Sequence, residues 1–145
     1  MAGANAQESI IIDLPKEKFF EVITDYMSYP DIVPEVVSMK ILEENGNTSI
    51  VENNVNMIKK VSYVLTLTKT PYTKLEWSLV KGFFKKNEGR WDLEDVDGGT
   101  KCKATYTVTV EIGMLVPKKI VKELTQMGLP KMLKQFKEYA EAKYK

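Results

Sequence analysis

An alternating strand followed by one long amphipathic helix is the feature that most constrains the fold of this chain. Residues Lys101 to Ile112 alternate apolar and polar side chains, and Val116-Pro117 then leads into a lysine-rich helical pattern that reaches Lys145. Because such a strand buries one face of its sheet and such a helix buries one side, each needs the other as cover. The apolar face of the strand is predicted to carry Cys102, Ala104, Tyr106, Val108, Val110 and Ile112.

Six further stretches have strand character, and all of them precede that strand. The first is the β-branched run Ser9 to Ile12, and in the second Val37 is expected to face inward. Asn45-Gly46 and Asp97-Gly98-Gly99 are hairpin-turn sequences. Alternating strands joined by tight turns indicate an antiparallel sheet of about seven strands with one wet face. The remaining predicted strands are 36–41, 49–58, 60–68, 74–80 and 84–94.

A helical insertion interrupts the strands near the N-terminus. Asp13 is expected to cap this helix, with Pro15 in the first turn, and Tyr29-Pro30 is expected to end it. A second short helical turn is predicted from Asp31 to Glu35. The buried side of the first helix is predicted to consist of Phe19, Phe20, Val22 and Ile23.

The C-terminal helix carries two apolar stripes, with Gly128-Leu129-Pro130 between them. A proline inside a helix removes a backbone donor and clashes with the preceding turn. A break or bend near Gly128 would let both stripes face the sheet, and we predict one there. The first stripe contains Ile120, Val121, Leu124 and Met127, and the second contains Leu129, Met132, Leu133, Phe136 and Ala140.

Two residue types that carry much of enzyme chemistry are absent or nearly so. The chain has no histidine and one cysteine, Cys102. Histidine is the side chain that most often acts as general base near neutral pH, and one cysteine alone cannot form a four-ligand zinc site. Neither a P-loop nor a GxGxxG motif is present. We therefore predict no catalytic residue of these kinds, no metal and no cofactor.

Length and hydropathy predict one domain, residues 1–145, in the cytoplasm. No apolar run approaches the ~20 residues of a membrane span, and residues 1–9 lack the basic and apolar regions of a signal peptide. A single cysteine excludes an internal disulfide framework, which fits a reducing compartment. We expect a monomer or a weak homodimer.

Charge is distributed unevenly along the chain. Residues 1–58 contain ten acidic residues and three lysines, whereas residues 116–145 contain eight lysines and three glutamates. The basic helix is interpreted either as a solvated face or as a surface that contacts an anionic membrane or a ribosome through Lys118, Lys119 and Lys122. No DNA partner is predicted.

The order of elements and several short stretches together resemble a known family. The stretches are Pro15 to Asp25, Tyr29-Pro30 with Val33-Pro34-Glu35-Val36, Gly89-Arg90-Trp91-Asp92-Leu93 leading to Asp97-Gly98-Gly99-Thr100, and the mid-helix Gly128-Leu129-Pro130. They are similar to the START-like helix-grip superfamily, above all to its polyketide cyclase/dehydrase branch, which includes coenzyme Q-binding proteins and ribosome-associated toxin-like proteins. The resemblance implies an α+β fold in which a curved antiparallel sheet, in the order β-α-α-β6-α, wraps around the long C-terminal helix and holds an apolar ligand. The chain departs from some cyclase sites because it has no histidine.

Aromatic and apolar residues on the predicted inner faces are the candidate cavity lining. Tyrosine hydroxyls and tryptophan N–H groups could orient a polar ligand head, and thioethers fill irregular space. Ordinary core packing is the alternative for each of them. The candidates are Met57, Tyr63, Trp77, Trp91, Tyr106, Val108, Leu124 and Met127.

Binding or carriage of a hydrophobic small molecule, such as a lipid, an isoprenoid quinone or a polyketide-like compound, is the leading hypothesis. The second is an aromatase/cyclase that acts without histidine or metal, with Tyr63 or Tyr106 as proton donors and Glu76 or Glu111 as a carboxylate if either faces inward. The third is docking to a ribosome or membrane through the basic helix. Arg90, the one arginine, is expected to point outward beside Asp92.

Overall fold

The structure, a computed structural model, describes residues 2–56, 60–113 and 128–144, and for residues 2–4 it describes the backbone alone. Within these ranges the predicted α+β class and the number of strands are confirmed. The elements are β1 (Ala2–Ile12), α1 (Lys16–Ile23), a 3-10 turn (Tyr26–Ser28), α2 (Tyr29–Ile32), β2 (Val36–Asn45), β3 (Thr48–Asn56), β4 (Lys60–Thr70), β5 (Lys74–Gly82), β6 (Lys86–Val96), a 3-10 turn (Asp97–Gly99), β7 (Lys101–Ile112) and α3 (Leu129–Tyr144).

The seven strands form one curved antiparallel sheet in the order β1-β7-β6-β5-β4-β3-β2. Strands β2 to β7 are neighbours in chain order, and β1 joins the sheet by pairing with β7 along its full length, from Ala2 opposite Ile112 to Ile12 opposite Cys102. β1 is longer than the predicted run Ser9 to Ile12. Its first residues are mostly alanine, glycine and asparagine, which have little strand propensity, so the pairing with β7 defines this part of the strand.

Strand β7 has the alternation that the sequence predicts. Its inner face is buried at every position except Tyr106, which is half-buried. The outer face is polar, and it is bonded across to β1 by hydrogen bonds from Gln7 Nε2 to Thr107 Oγ1 at 3.0 Å and between the Ser9 and Thr105 hydroxyls at 2.9 Å. The core therefore lies on one side of the sheet only.

Strand β2 shows one wrong prediction. Val37 is 53% exposed rather than inward, whereas Met39 is buried. The register of β2 against β3 shifts between Val36 and Ser38, so Val37 is an extra residue at a β-bulge. A bulge changes the phase of the side chains, and alternation read from the sequence cannot locate it.

The first two helices begin and end differently from the prediction. The N-cap of α1 is Pro15 without a side-chain hydrogen bond, so Asp13 does not cap the helix. Instead the Asp13 backbone N–H donates to Glu141 Oε2 at 2.8 Å. Tyr29-Pro30 begins α2 rather than ending α1, which suits a proline because the first turn of a helix needs no N–H from it. The buried side of α1 is the predicted one: Phe19, Phe20, Val22 and Ile23.

Helix α3 begins at Leu129, directly after Gly128, and it packs against β1, α1 and α2. Its buried residues are Leu129, Leu133, Phe136 and Ala140. These residues belong to the second of the two predicted stripes. The first stripe lies outside the described residues, so the predicted bend at Gly128 stays a prediction. Of the helices in the described ranges, none is long and apolar enough to cross a membrane.

Strands β5 and β6 pair over a short stretch and then separate. Their register runs from Lys74 opposite Asp92 to Trp77 opposite Gly89 and ends there. Beyond Trp77, β5 stays paired with β4 up to Gly82, while the start of β6 stays paired with β7. The sheet is therefore split at this end between β5, its central strand, and β6.

Candidate ligand-binding site

A continuous series of aromatic rings crosses the interior from the helices to the sheet. Tyr29 of α2 lies 5.4 Å from Phe136 of α3, and Phe136 lies 5.4 Å from Trp91 of β6, measured between ring centroids. Trp91 lies 5.0 Å from Tyr106 of β7, which lies 5.1 Å from Trp77 of β5. Most of these pairs are edge-to-face, the geometry that aromatic quadrupoles favour. The rings form an aromatic wall across the interior.

Tyr63 and Tyr106 combine partial exposure with desolvation. Both are half-buried members of the inner face, yet burial raises the pKa of Tyr63 to about 12 and raises the pKa of Tyr106 further. The Tyr63 phenol adds to the raised pKa of Tyr106, and both phenols add to that of Tyr29. Tyr63 and Tyr106 are thus desolvated side chains of the inner face that keep some accessible surface.

The hydroxyls of these tyrosines differ in their partners. Tyr29 Oη donates to the Ile23 carbonyl, whereas no hydrogen bond of Tyr63 Oη or Tyr106 Oη is found among the described residues. Phenols are protonated at neutral pH, and the raised pKa values keep these two protonated further into alkali, so each can donate to an uncharged acceptor. The two hydroxyls are therefore candidate anchors for a ligand.

Trp77 is held in place where β5 leaves β6. Its Nε1 donates to the buried Asn87 Oδ1 at 3.2 Å, which joins the strands by side chains just beyond their last backbone pair. The indole lies over Gly89, where a Cβ atom would be 2.8 Å from Trp77 Cζ2 and 2.2 Å from the Thr107 carbonyl oxygen. Only glycine allows the indole to lie this close to the sheet.

The turn after β5 folds over Tyr63. The Phe84 ring lies 4.9 Å from the Tyr63 ring and 5.3 Å from that of Phe83, and Phe84 is buried while Phe83 is half-buried. Gly82 has φ +128°, and a Cβ there would lie 2.4 Å from Tyr63 Cα. Phe84 thus folds back on the core.

Charge is kept out of this region. Among the described residues, the buried polar side chains are Ser49, Asn53 and Asn87, and no charged side chain is buried. Glu76 is exposed and Glu111 lies on the outer face of β7, so neither predicted carboxylate reaches the interior. Arg90 lies outside as predicted, with Nε 2.8 Å from Asp92 Oδ2.

The structure brings together four of the eight predicted lining residues. The Tyr106 ring contacts both Trp77 and Trp91. The charge of a Tyr63 phenolate would raise the pKa of Tyr106, so Tyr63 lies near it. Val108, two residues from Tyr106 on the same face, is buried. The other three, Met57, Leu124 and Met127, lie outside the described residues, as do Lys118, Lys119 and Lys122. A lining role for the eight stays a prediction.

Sequence reasoning missed three inner residues of this region. Asn53 and Asn87 are buried, and Asn53 Nδ2 donates to the Val51 carbonyl at 3.1 Å. The signal was available, because Asn53 and Asn87 share the strand phase of their inward neighbours Val51 and Gly89. Tyr29, by contrast, reaches the site from a helix and could be placed only by tertiary packing.

A comparison with protein families decides the relationship that these features suggest. Residues 12–137 match the family model described as polyketide cyclase / dehydrase and lipid transport. The chain belongs to this family. The resemblance found in the sequence is therefore confirmed. Among curated proteins, no sequence matches the chain.

Three solved structures share the fold. A Thermus thermophilus protein, TTHA0849, is 20% identical with a TM-score of 0.87 over 98% of this chain and 100% of that one. A START superfamily protein from Mycobacterium smegmatis is 18% identical, with a TM-score of 0.83 over 95% and 97%. The Zhui aromatase/cyclase from Streptomyces sp. R1128 is 16% identical, with a TM-score of 0.71 over 97% and 87%. At these identities the likeness extends to the fold, which is of the helix-grip type.

Proposed function

We propose that this protein binds and carries an uncharged hydrophobic molecule between the concave face of its sheet and α3. The observation that carries the proposal is the pair of inward tyrosines, Tyr63 and Tyr106, which are desolvated but keep accessible surface beside an aromatic wall. Affinity would come from apolar burial at about 25 cal/mol per Å², and the tyrosine hydroxyls would orient a polar head. The family description, which includes lipid transport, supports the same role.

The chemistry of the interior narrows the ligand class. The described interior holds neutral donors and no buried cation, so a carboxylate or phosphate would be desolvated without a counter-charge. A ketone, quinone or phenol oxygen would instead accept a hydrogen bond from Tyr63 or Tyr106. An isoprenoid quinone or a polyketide-like compound therefore fits better than an ionised fatty acid.

The aromatase/cyclase alternative loses the carboxylates that it required. Glu76 and Glu111 lie outside the interior, and tyrosines with raised pKa values cannot act as bases near neutral pH. The one observation in favour of this alternative is the fold shared with the Zhui aromatase/cyclase. Fold alone does not specify chemistry, so we give binding the preference.

Docking through the predicted basic helix finds no support in α3, the part of that prediction that lies among the described residues. Lys131, Lys134 and Lys137 each lie within 4 Å of a carboxylate, those of Glu35, Glu138 and Glu141. Their positive charge is thus largely compensated. The predicted monomeric or weakly dimeric state, the single domain and the cytoplasmic location stay predictions.

Ligand binding is tested with decylubiquinone as an uncharged probe and palmitate as a charged one. Native mass spectrometry of the purified protein should reveal a bound apolar molecule, and decylubiquinone should raise the thermal unfolding midpoint more than palmitate does. Tyr106→Phe should weaken decylubiquinone binding about three- to tenfold, the worth of one hydrogen bond. Tyr72→Phe, at an exposed tyrosine, is the matched control.

Two results would contradict the proposal. The first is a protein that is consistently empty and is not stabilised by either probe. The second is a preference for palmitate, because it would require a cation in the interior that the described residues do not supply.

A further inference from the structure

The turn from Val80 to Lys86, here called the β5–β6 turn, combines apolar and basic residues at the surface. Val80 is 51% exposed, at a register shift of β5 against β4, and Phe83 is half-buried. Lys81 and Lys85 are exposed and flank the two phenylalanines. Apolar side chains set among lysines are typical of surfaces that lie in the interface of a membrane.

The backbone of the β5–β6 turn is held in place. The Phe83 N–H donates to the Ser62 carbonyl of β4 at 3.0 Å, and the Lys85 N–H donates to the Glu111 carbonyl of β7 at 2.7 Å. Gly82 packs against the Tyr63 backbone. The turn therefore presents its lysines and Phe83 in a defined arrangement, so little conformational entropy would be lost on docking.

The positive charge of the β5–β6 turn is only partly compensated. Among the described residues, no carboxylate forms an ion pair with Lys81 or Lys85, whereas Lys86 Nζ lies 3.4 Å from Glu88 Oε1. Glu88 and Glu111 are the acidic residues on the strands next to the turn. Lys81, Lys85 and Lys86 thus outnumber them, whereas Lys131, Lys134 and Lys137 of α3 each pair with a carboxylate.

We propose that the β5–β6 turn is the surface through which this protein docks on an anionic lipid membrane. The uncompensated lysines would attract the lipid headgroups, and Phe83 and Val80 would enter the interface. An aliphatic residue adds to membrane binding but adds nothing to base stacking, so Val80 favours lipid over RNA. The docked turn would bring the split between β5 and β6, with Phe84 against Tyr63, next to the bilayer.

The test is co-sedimentation of the full chain with vesicles of phosphatidylcholine alone and of equal parts phosphatidylcholine and phosphatidylglycerol. We expect binding to the anionic vesicles, weakened by added salt, and little binding to phosphatidylcholine alone. Each lysine near an anionic surface contributes about fivefold in affinity, so Lys81→Glu with Lys85→Glu should weaken binding at least about twentyfold. Lys131→Glu with Lys134→Glu, on α3, should change binding less than about threefold.

A second measurement reports where the turn lies. Phe83→Trp should shift tryptophan emission to the blue with anionic vesicles. The emission should stay unchanged with phosphatidylcholine vesicles.

The docking proposal is overturned if the protein does not bind anionic vesicles, or if the two double-lysine variants weaken vesicle binding equally. It is also overturned if the protein binds RNA and does not bind the vesicles. Decylubiquinone binding by the Lys81/Lys85 variant, measured without vesicles, should equal that of the wild type. Membrane docking and ligand binding can therefore fail separately.

Discussion

Asn87 lies on β6 where β5 turns away, and its side-chain oxygen accepts the hydrogen bond of the Trp77 indole N–H at 3.2 Å. Because an indole nitrogen only donates, this bond sets which end of the amide faces Trp77. The pair fixes the orientation of a ring that also contacts Tyr106. One buried polar residue thus positions part of the aromatic wall.

Replacing Asn87 by alanine should therefore destabilise the protein by about 1–3 kcal/mol, because the Trp77 N–H would be buried without an acceptor. Urea unfolding followed by fluorescence measures the loss. Asn54→Ala removes an amide whose bonds lie on the half-exposed outer face, and it should cost less than about 0.5 kcal/mol. If both variants lower the free energy of unfolding equally, the hydrogen bond from Trp77 to Asn87 contributes no more to stability than the bonds of Asn54 do.

Tyr26 is the opposite case, since its buried hydroxyl has no hydrogen-bond partner among the described residues. Its ring remains useful, because it packs 6.0 Å from Tyr29. Tyr26→Phe keeps the ring and removes the unpaired oxygen, so stability should be unchanged or higher by up to about 1 kcal/mol. A loss above about 1 kcal/mol in the urea unfolding curve would show that the hydroxyl has a partner.

At the scale of the element, α3 is fixed to β1 by a cluster at its C-terminal half. Lys137 Nζ donates to the Ile11 carbonyl at 2.8 Å and to Glu141 Oε2 at 2.5 Å, and the same carboxylate accepts the Asp13 N–H. These bonds join the helix to the end of β1 and to the chain before α1. The cluster therefore fixes how the helix lies across the sheet.

Lys137→Met keeps the aliphatic stem and removes the donor. Since both partners are partly buried, we expect a loss of about 1–2 kcal/mol in chemical unfolding. The control is Lys134→Met, whose pair with Glu138 is 3.9 Å long and exposed, and whose loss should stay below about 0.5 kcal/mol. If Lys134→Met lowers the free energy of unfolding as much as Lys137→Met does, the charge of the helix rather than the cluster stabilises α3.

At the scale of the whole molecule, buried acids make stability sensitive to alkali. Desolvation raises the pKa of Tyr63 from 10.0 to about 12, and that of Cys102 from 9.0 to about 12. Below pH 9 these groups are protonated in both states and do not affect unfolding. Above it the unfolded chain loses protons that the folded chain retains, so the free energy of unfolding must fall with pH.

We expect the free energy of unfolding to fall between about pH 9 and pH 12, with a slope of up to about 1.4 kcal/mol per pH unit for each such group. Urea titrations at a series of pH values measure this fall. Tyr63→Phe should make it shallower above pH 10, whereas Tyr72→Phe should not. A slope that Tyr63→Phe leaves unchanged would contradict the burial of this phenol.

Several features could be predicted because they depend on short-range patterns. The alternation of Lys101–Ile112, the apolar side of α1 and the Asn45-Gly46 hairpin each involve neighbours along the chain, and the structure has all three. The inward phase of Trp77 and Trp91 followed from the same alternation. Local periodicity was therefore enough for the number of strands, the apolar side of α1 and the antiparallel sheet, but not for the ends of α1 and α2.

Long-range contacts decided the rest. The sequence did not indicate the bulge at Val37, the pairing of residues 2–8 with β7, or the point at which β5 leaves β6, because each depends on a partner distant in the chain. The contact of Tyr29 with Phe136 has the same cause. By itself the sequence determined an α+β chain with an aromatic inner face, and only tertiary packing decided which of those aromatic groups meet and where charged residues cluster at the surface.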